Sequence, residues 1–180
     1  FIRPIHWICA LYEDKVIDFN INDINSDRFS RGHRFLSGEE VKIEKAGEYL
    51  EKLKQHNVIV DPEEREKMIK KGIGKIEKKE DCRVEVDEEL MQEVVHLVEF
   101  PTPFCGEFEE RFLQLPDPVL VTPTKEHQRY FPVRDNQGNL INKFVGVRDG
   151  GSKYIETVKE GNEKVLKARF SDAEFYYKKD

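Results

Sequence analysis

The chain has 180 residues, of which 38% are hydrophobic and 37% are charged, a composition typical of a charge-rich globular protein with one well-buried core. Its 30 basic and 36 acidic residues give a formal charge of −6, which argues against a dedicated non-specific binder of nucleic acids. This charge still allows a local basic patch that meets RNA within a larger assembly.

The first sixty residues predict a hairpin, two short strands and a helix. Residues 5–11 (IHWICAL) and 15–21 (KVIDFNI) are β-rich runs on either side of an acidic tip, which predicts a hairpin. Because Ile17, Phe19 and Ile21 alternate with the other residues of the second run, we expect that strand to be buried on one face. Short strands are predicted at residues 41–43 and 58–60, and an amphipathic helix at residues 46–56.

The middle of the chain predicts two helices separated by a short strand. Asp61 and Pro62 form a strong helix start, and the apolar spacing continues to residue 76. Gly72 and Gly74 each disfavour this helix by about 1 kcal/mol relative to alanine, so we expect fraying or a break there. A strand at residues 83–86 precedes Asp87, which caps a helix predicted over residues 88–99.

The remaining elements lead to a fold class. Residues 104–111 are typical of a strand or turn, and Pro123 makes a regular helix at residues 119–128 doubtful. Residues 130–134 and 144–148 predict strands joined across the turn-forming sequence DNQGN. Strands and helices alternate irregularly, which favours an α+β domain with a mixed, largely antiparallel sheet and packed helices over a doubly wound fold.

Residues 161–180 predict an amphipathic helix that carries basic residues on one face and restarts near Ser171 and Asp172. This pattern continues to the last residue without a Gly or Pro stop signal, and the first residue is Phe1 rather than methionine. We therefore expect the chain to be a piece of a longer protein.

Motifs for metal binding and covalent catalysis are absent from the sequence. Cys9, Cys82 and Cys105 are odd in number and far apart, which predicts reduced thiols in a cytosolic protein rather than disulfides or a zinc site. No histidine has a partner at metal-ligand spacing, and no nucleophile elbow is present. The sequence GIGK at residues 72–75 lacks the flanking strand and the ending of a phosphate-binding loop. We expect no catalytic residue and no metal site in this chain.

Two clusters mix cations with aromatic residues, at residues 28–35 (RFSRGHRF) and 125–131 (KEHQRYF). Such mixtures suit RNA, because guanidinium groups pair with phosphates while rings stack on unpaired bases. The alternative is that they are ordinary strands with rings inward and charges outward. The candidate RNA-facing residues are Arg31, His33, Arg34, Lys125, His127 and Arg129, followed by Lys164, Lys167 and Arg169.

A series of short sequences resembles the β subunit of bacterial heterotetrameric glycyl-tRNA synthetases. They occur in the order typical of that family and span nearly the whole chain, although Thr122-Pro123-Thr124 departs from the more helical segment expected before residue 127. The matching sequences are residues 3–7 (RPIHW), 31–35 (RGHRF), 64–65 (ER), 97–101 (LVEFP), 106–108 (GEF), 112–113 (FL), 127–133 (HQRYFPV) and 161–180.

This resemblance implies an α2β2 enzyme of the cytoplasm that attaches glycine to tRNA. It implies that ATP and Mg²⁺ are used by a class II catalytic core in the α subunit, and that the β subunit supplies most of the tRNA recognition. Residues 1–160 would form a domain similar to the B3/B4 module of the phenylalanyl-tRNA synthetase β subunit. Residues 161–180 would be a helical connector toward a following HD-type domain.

Three functions stay open at this point. The first is a module that contacts tRNA and scaffolds the β subunit. The second is a hydrolytic editing domain by analogy with B3/B4, although size-based editing has little purpose for glycine, the smallest amino acid. The third is a structural module that docks other domains or the α subunit, in which case Arg31, Arg34 and Arg129 should pair with carboxylates in the core.

Overall fold

The computed structural model describes residues 4–179, so Arg3 of the RPIHW run, Phe1 and Asp180 lie outside the described residues. Its contacts divide the chain into two compact units, Phe1–Pro62 and Glu63–Asp180. Helices combine with mostly antiparallel sheets in the chain, which confirms the predicted α+β class. The likeness to a B3/B4 module and the division of the chain at residue 160 stay predictions.

The first unit is built from short strands and one helix. A three-stranded sheet has the order β1-β5-β4, and two further pairs are β2-β3 and β6-β7. Helix α1 (Tyr49–Gln55) follows a 3-10 turn at Ala46–Glu48. The strands are β1 (Ile8–Cys9), β2 (Leu11–Tyr12), β3 (Lys15–Val16), β4 (Asn20–Ile21), β5 (Ile24–Asp27), β6 (Phe29–Arg31) and β7 (Glu40–Lys42).

The predicted burial of Ile17, Phe19 and Ile21 is wrong, because these side chains are 49%, 39% and 43% exposed. The residues alternate in type as predicted, but the core cluster of the first unit forms elsewhere, and it is Cys9 and Leu11 of the first run that pack against it. A period of two determines which residues share a face, and the neighbouring elements determine which face is covered. The core of this unit contains Val41, Ile43 and Leu53.

The second unit places helices on both faces of one antiparallel sheet. The strand order is β8-β10-β11-β9, and β9 and β11 pair from Lys143↔Glu107 to Asp149↔Pro101. The helices are α2 (Pro62–Glu80), α3 (Glu88–Leu97), α4 (Asp117–Thr122) and α5 (Ile155–Lys179), and the strands are β8 (Arg83–Val84), β9 (Pro101–Glu107), β10 (Phe131–Arg134) and β11 (Leu140–Asp149).

Each face of this sheet has its own apolar core. One core joins α2 and α3 to alternate residues of β10 and β11, and it contains Ile69, Met91 and Val145 in one cluster. The other joins α5 and α4 to the remaining residues, as with Phe170 in the same cluster as Phe144. Because helices cover both faces of the sheet, β11 carries apolar side chains on both of its faces.

Helix α2 runs without a break through Gly72 and Gly74, so the predicted fraying is wrong. A Cβ at Gly72 would lie 2.7 Å from the Pro103 ring, and the glycine allows the helix to approach β9 closely. The predicted strand at β8 and the helix capped by Asp87 are confirmed, since the Asp87 carboxylate accepts the Leu90 N–H at 3.0 Å.

Two other segments differ from a regular pattern. α4 ends at Thr122 and continues as a π-helical turn, Pro123–His127, which confirms that a regular helix is not formed at residues 119–128. α5 begins at Ile155 and passes Ser171 without the predicted restart. No helix within residues 4–179 is long and apolar enough to cross a lipid bilayer.

Candidate nucleic-acid interface

The first basic cluster lies at the end of β6, where the chain makes a tight turn. Gly32 donates its N–H to the Glu39 carbonyl at 3.1 Å. A Cβ at Gly32 would lie 2.1 Å from the carbonyl oxygen of Ser37, so a side chain cannot fit between the two sides of the turn. The glycine of the sequence RGHRF therefore shapes the turn that presents its neighbours.

His33 holds this turn from inside, with 1% of its surface exposed. Its N–H donates to the His56 carbonyl at 2.9 Å, and its own carbonyl accepts the Ser37 N–H at 2.8 Å. Its ring Nδ1 accepts the Phe35 N–H at 3.3 Å. A ring buried in this way has little surface to offer an RNA, and contact of His33 with RNA stays a prediction.

Arg31 and Arg34 point outward on either side of this turn, each over an aromatic ring. The Arg31 guanidinium carbon lies 5.4 Å from the centroid of the Trp7 ring, and that of Arg34 lies 5.6 Å from the centroid of Phe35. Trp7 is 44% exposed and Phe35 is 79% exposed. We call these four residues the arginine–aromatic surface.

Neither guanidinium of the arginine–aromatic surface forms an ion pair with a carboxylate of residues 4–179. Glu40 faces Arg31 across the β6–β7 pair but forms no ion pair with it, so no bound carboxylate has to be displaced before either cation meets a phosphate. An aromatic ring beneath each cation limits its motion and supplies a stacking partner. This arrangement has the chemistry of a nucleic-acid contact.

The second cluster, around the π-helical turn, is neutralised by neighbouring acids. Lys125 Nζ lies 2.6 Å from Asp87 Oδ2, and this hydrogen bond is the main cause that lowers the pKa of the Asp87 carboxyl. Arg129 pairs with Glu93 and has a left-handed backbone, with φ of 57°. His127 is exposed. The depression between this turn and α3 is lined by four carboxylates and two cations, namely Asp87, Glu89, Glu93, Glu126, Lys125 and Arg129.

The third cluster, on α5, is similar to the second in its charge balance. Lys167 pairs with Glu109, and Lys164 lies in the same depression. Four carboxylates line that depression beside the two lysines, so it repels a phosphate overall. Arg169 is exposed and forms no ion pair within the described part of the chain. The acidic residues are Glu107, Glu109, Glu160 and Glu163.

The structure therefore separates candidates that the sequence groups together. Arg31 and Arg34 are brought to one exposed turn, whereas Lys125, Arg129 and Lys167 are each engaged with a carboxylate. The sequence reasoning missed Trp7 as a site residue. The signal that could have pointed to Trp7 is that it is the one tryptophan of the chain.

The three cysteine thiols are poor nucleophiles in this fold. Burial raises the pKa of Cys105 to about 11, so its thiolate is scarce at neutral pH. Burial also raises the pKa of Cys9 and of Cys82 above the ordinary value. None of these groups has the lowered pKa that covalent hydrolysis by a cysteine needs.

Comparison with known proteins adds an independent finding. A model of the family described as glycyl-tRNA synthetase beta subunit matches residues 1–180. The chain is 51% identical over its full length to the glycine–tRNA ligase beta subunits of Streptococcus uberis and Bacillus subtilis, and 46% identical to that of Desulforamulus reducens. It spans 26% of the length of each of these relatives.

Proposed function

The chain belongs to the glycyl-tRNA synthetase beta subunit family, and we propose that it contributes tRNA recognition and scaffolding to the ATP-dependent attachment of glycine to tRNA. In this proposal the partners are the α subunit of an α2β2 enzyme, tRNA(Gly) and the other domains of the β subunit. Catalysis, with ATP and Mg²⁺, belongs to the α subunit, and the enzyme works in the cytoplasm.

The observation that carries the RNA-binding part is the unpaired state of Arg31 and Arg34. Both side chains are exposed beside the buried His33, and neither guanidinium forms an ion pair with a carboxylate of residues 4–179. Phosphate contacts supply most of the sequence-independent affinity of proteins for nucleic acids, so such cations add directly to tRNA binding. We therefore assign tRNA contact to the arginine–aromatic surface.

The scaffolding part is supported by the second unit, where basic residues connect elements of the fold. Lys125 links the π-helical turn to the start of α3 through Asp87, at 2.6 Å. Arg134 of β10 forms ion pairs with Glu85 at 2.7 Å and with Asp117 at 2.8 Å. These contacts favour a structural role for Lys125 and Arg134, the first of which was expected to face RNA.

The test is charge reversal in the whole enzyme. The double variant Arg31→Glu/Arg34→Glu should bind tRNA(Gly) more weakly by about tenfold or more, because two phosphate contacts become repulsions. A filter-binding or fluorescence titration at matched salt measures the dissociation constant. A double reversal at Lys75 and Lys78, which makes the same change of net charge on helix α2, should stay within about threefold of the wild type.

Equal losses in the two double variants would refute the assignment, because they would indicate a general effect of net charge. Unchanged affinity of the Arg31→Glu/Arg34→Glu enzyme would refute it as well. Both pairs of residues are exposed, so the variants should keep the wild-type stability, which far-ultraviolet circular dichroism checks.

A further inference from the structure

We propose that the arginine–aromatic surface binds unpaired nucleotides of an RNA by stacking their bases, rather than the backbone of a duplex. This inference rests on the proposed function and specifies the kind of RNA segment that the surface recognises. The ligand class is a single-stranded RNA segment whose bases are free to leave their own stack.

The first reason is the exposure of the rings. Phe35 is 79% exposed and Trp7 is 44% exposed, beside cations that could bind phosphates without them. A duplex hides the faces of its bases, so it offers these rings nothing except sugar and phosphate edges. A single strand offers flat apolar surfaces, which stack on aromatic side chains and on guanidinium planes.

The second reason is that the surface is rigid before binding. The turn is closed by the Ser37 N–H donating to the His33 carbonyl at 2.8 Å, and Asn57 Nδ2 donates to Ser37 Oγ at 2.6 Å. The two sides of the turn approach closely at Gly32, where a Cβ would lie 2.1 Å from a carbonyl oxygen. When a base stacks on a preformed surface, the protein loses little conformational entropy, so flat ligands that make only weak contacts, such as bases, can still bind.

The third reason is the charge of the surface. Exposed aromatics and arginines also occur in protein interfaces, where they anchor in pockets of the partner. Here Arg31 and Arg34 form no ion pair with a carboxylate of the described residues, although Glu40 faces Arg31 across the β6–β7 pair. A nucleotide brings one phosphate for each base, so one ligand satisfies both the cation and the ring.

The test removes the rings while keeping the charges. In the whole enzyme, Phe35→Leu and Trp7→Leu should each weaken tRNA(Gly) binding by roughly fivefold or more, because each removes a stacking platform. The slope of log affinity against log salt should stay as in the wild type, since no phosphate contact is lost. Phe35→Tyr, which keeps a ring, should restore the affinity. Tyr12→Leu is the matched control, because Tyr12 is 70% exposed but no cation of residues 4–179 lies over its ring.

A zero-length ultraviolet cross-link then identifies the nucleotides. We expect Trp7 or Phe35 to cross-link to nucleotides outside the helical stems of the tRNA. The stacking inference would be overturned by cross-links within stems, or by wild-type affinity of the Phe35→Leu and Trp7→Leu enzymes. If the charge-reversal variants still bind tRNA weakly in that case, the proposed function would stand. Loss of subunit assembly instead of tRNA affinity in the ring variants would assign the surface to a protein partner and overturn the inference.

Discussion

Replacement of Phe170 by alanine is the sharpest test of how α5 belongs to the fold. Phe170 is fully buried and lies edge-on to Phe108 at 4.9 Å and to Phe112 at 5.5 Å between ring centroids. Removing a buried phenylalanine costs about 3–5 kcal/mol, and two edge-to-face contacts place this site toward the upper end of that range. For a chain of this size the loss corresponds to a fall of roughly 6–20 °C in the melting temperature.

The assay is urea unfolding of the 180-residue chain, followed by far-ultraviolet circular dichroism. Tyr176→Ala is the control on the same helix, because Tyr176 is 67% exposed and its loss should change the free energy of unfolding by less than about 0.5 kcal/mol. A loss below about 1 kcal/mol for Phe170→Ala would refute the reasoning. It would indicate that residues 161–180 are a separate connector, as the sequence predicts, rather than a core element.

Three further predictions concern the second unit. Gly106→Ala should lower the free energy of unfolding by about 1–3 kcal/mol, because its Cβ would lie 2.4 Å from the Phe144 ring. Gly161→Ala should raise it by about 0.5–1 kcal/mol, because no atom of the described residues would lie within 4 Å of its Cβ. Urea unfolding measures both. The hydrogen bond from Lys143 lowers the pKa of Glu80 below 4.5, so the stability that ionised Glu80 contributes is present above pH 4.5 and is lost as the pH falls through the lowered value. In a pH series of unfolding measurements, the free energy of unfolding of Glu80→Gln should therefore fall less in acid than that of the wild type. Equal losses would contradict this. With a pKa of about 11 against an ordinary 9.0, Cys105 should have about one hundredth of the usual thiolate fraction at pH 8. Iodoacetamide should therefore alkylate this thiol far more slowly in the folded chain than in urea. Equal rates of alkylation would contradict the effect of burial.

The sequence predicts most elements because local chemistry determines them. Asp87 begins α3 by accepting the Leu90 N–H, and the turn between β10 and β11 uses Asp135, whose carboxylate accepts the N–H groups of Gln137 and Asn139. These contacts join residues two to four positions apart, so a short window contains all the information that they need.

The errors arise where distant residues decide the outcome. Gly72 looks like a helix breaker, but Pro103 of β9 occupies the space that a side chain would need. Ile17 and Phe19 alternate as predicted, yet they stay exposed because the core of the first unit forms around Val41, Ile43 and Leu53 instead. Spacing along the chain contains neither fact, because each depends on a contact between remote segments.

The candidate interface shows the same limit. The two cation–aromatic clusters have similar residue compositions, and from composition alone both are expected to attract a phosphate. Asp87 and Glu93 neutralise Lys125 and Arg129, and these acids lie more than thirty residues earlier in the chain. Only the fold reveals that Arg31 and Arg34 have no such partners within residues 4–179.

The salt dependence of tRNA binding by the whole enzyme tests the central claim most directly. Each phosphate contact contributes a slope of about −0.7 to −0.9 to a plot of log affinity against log salt concentration. If Arg31 and Arg34 each contact a phosphate, the Arg31→Ala/Arg34→Ala enzyme should show a slope that is shallower by about 1.5 than that of the wild type. An unchanged slope would contradict the assignment of tRNA contact to the arginine–aromatic surface.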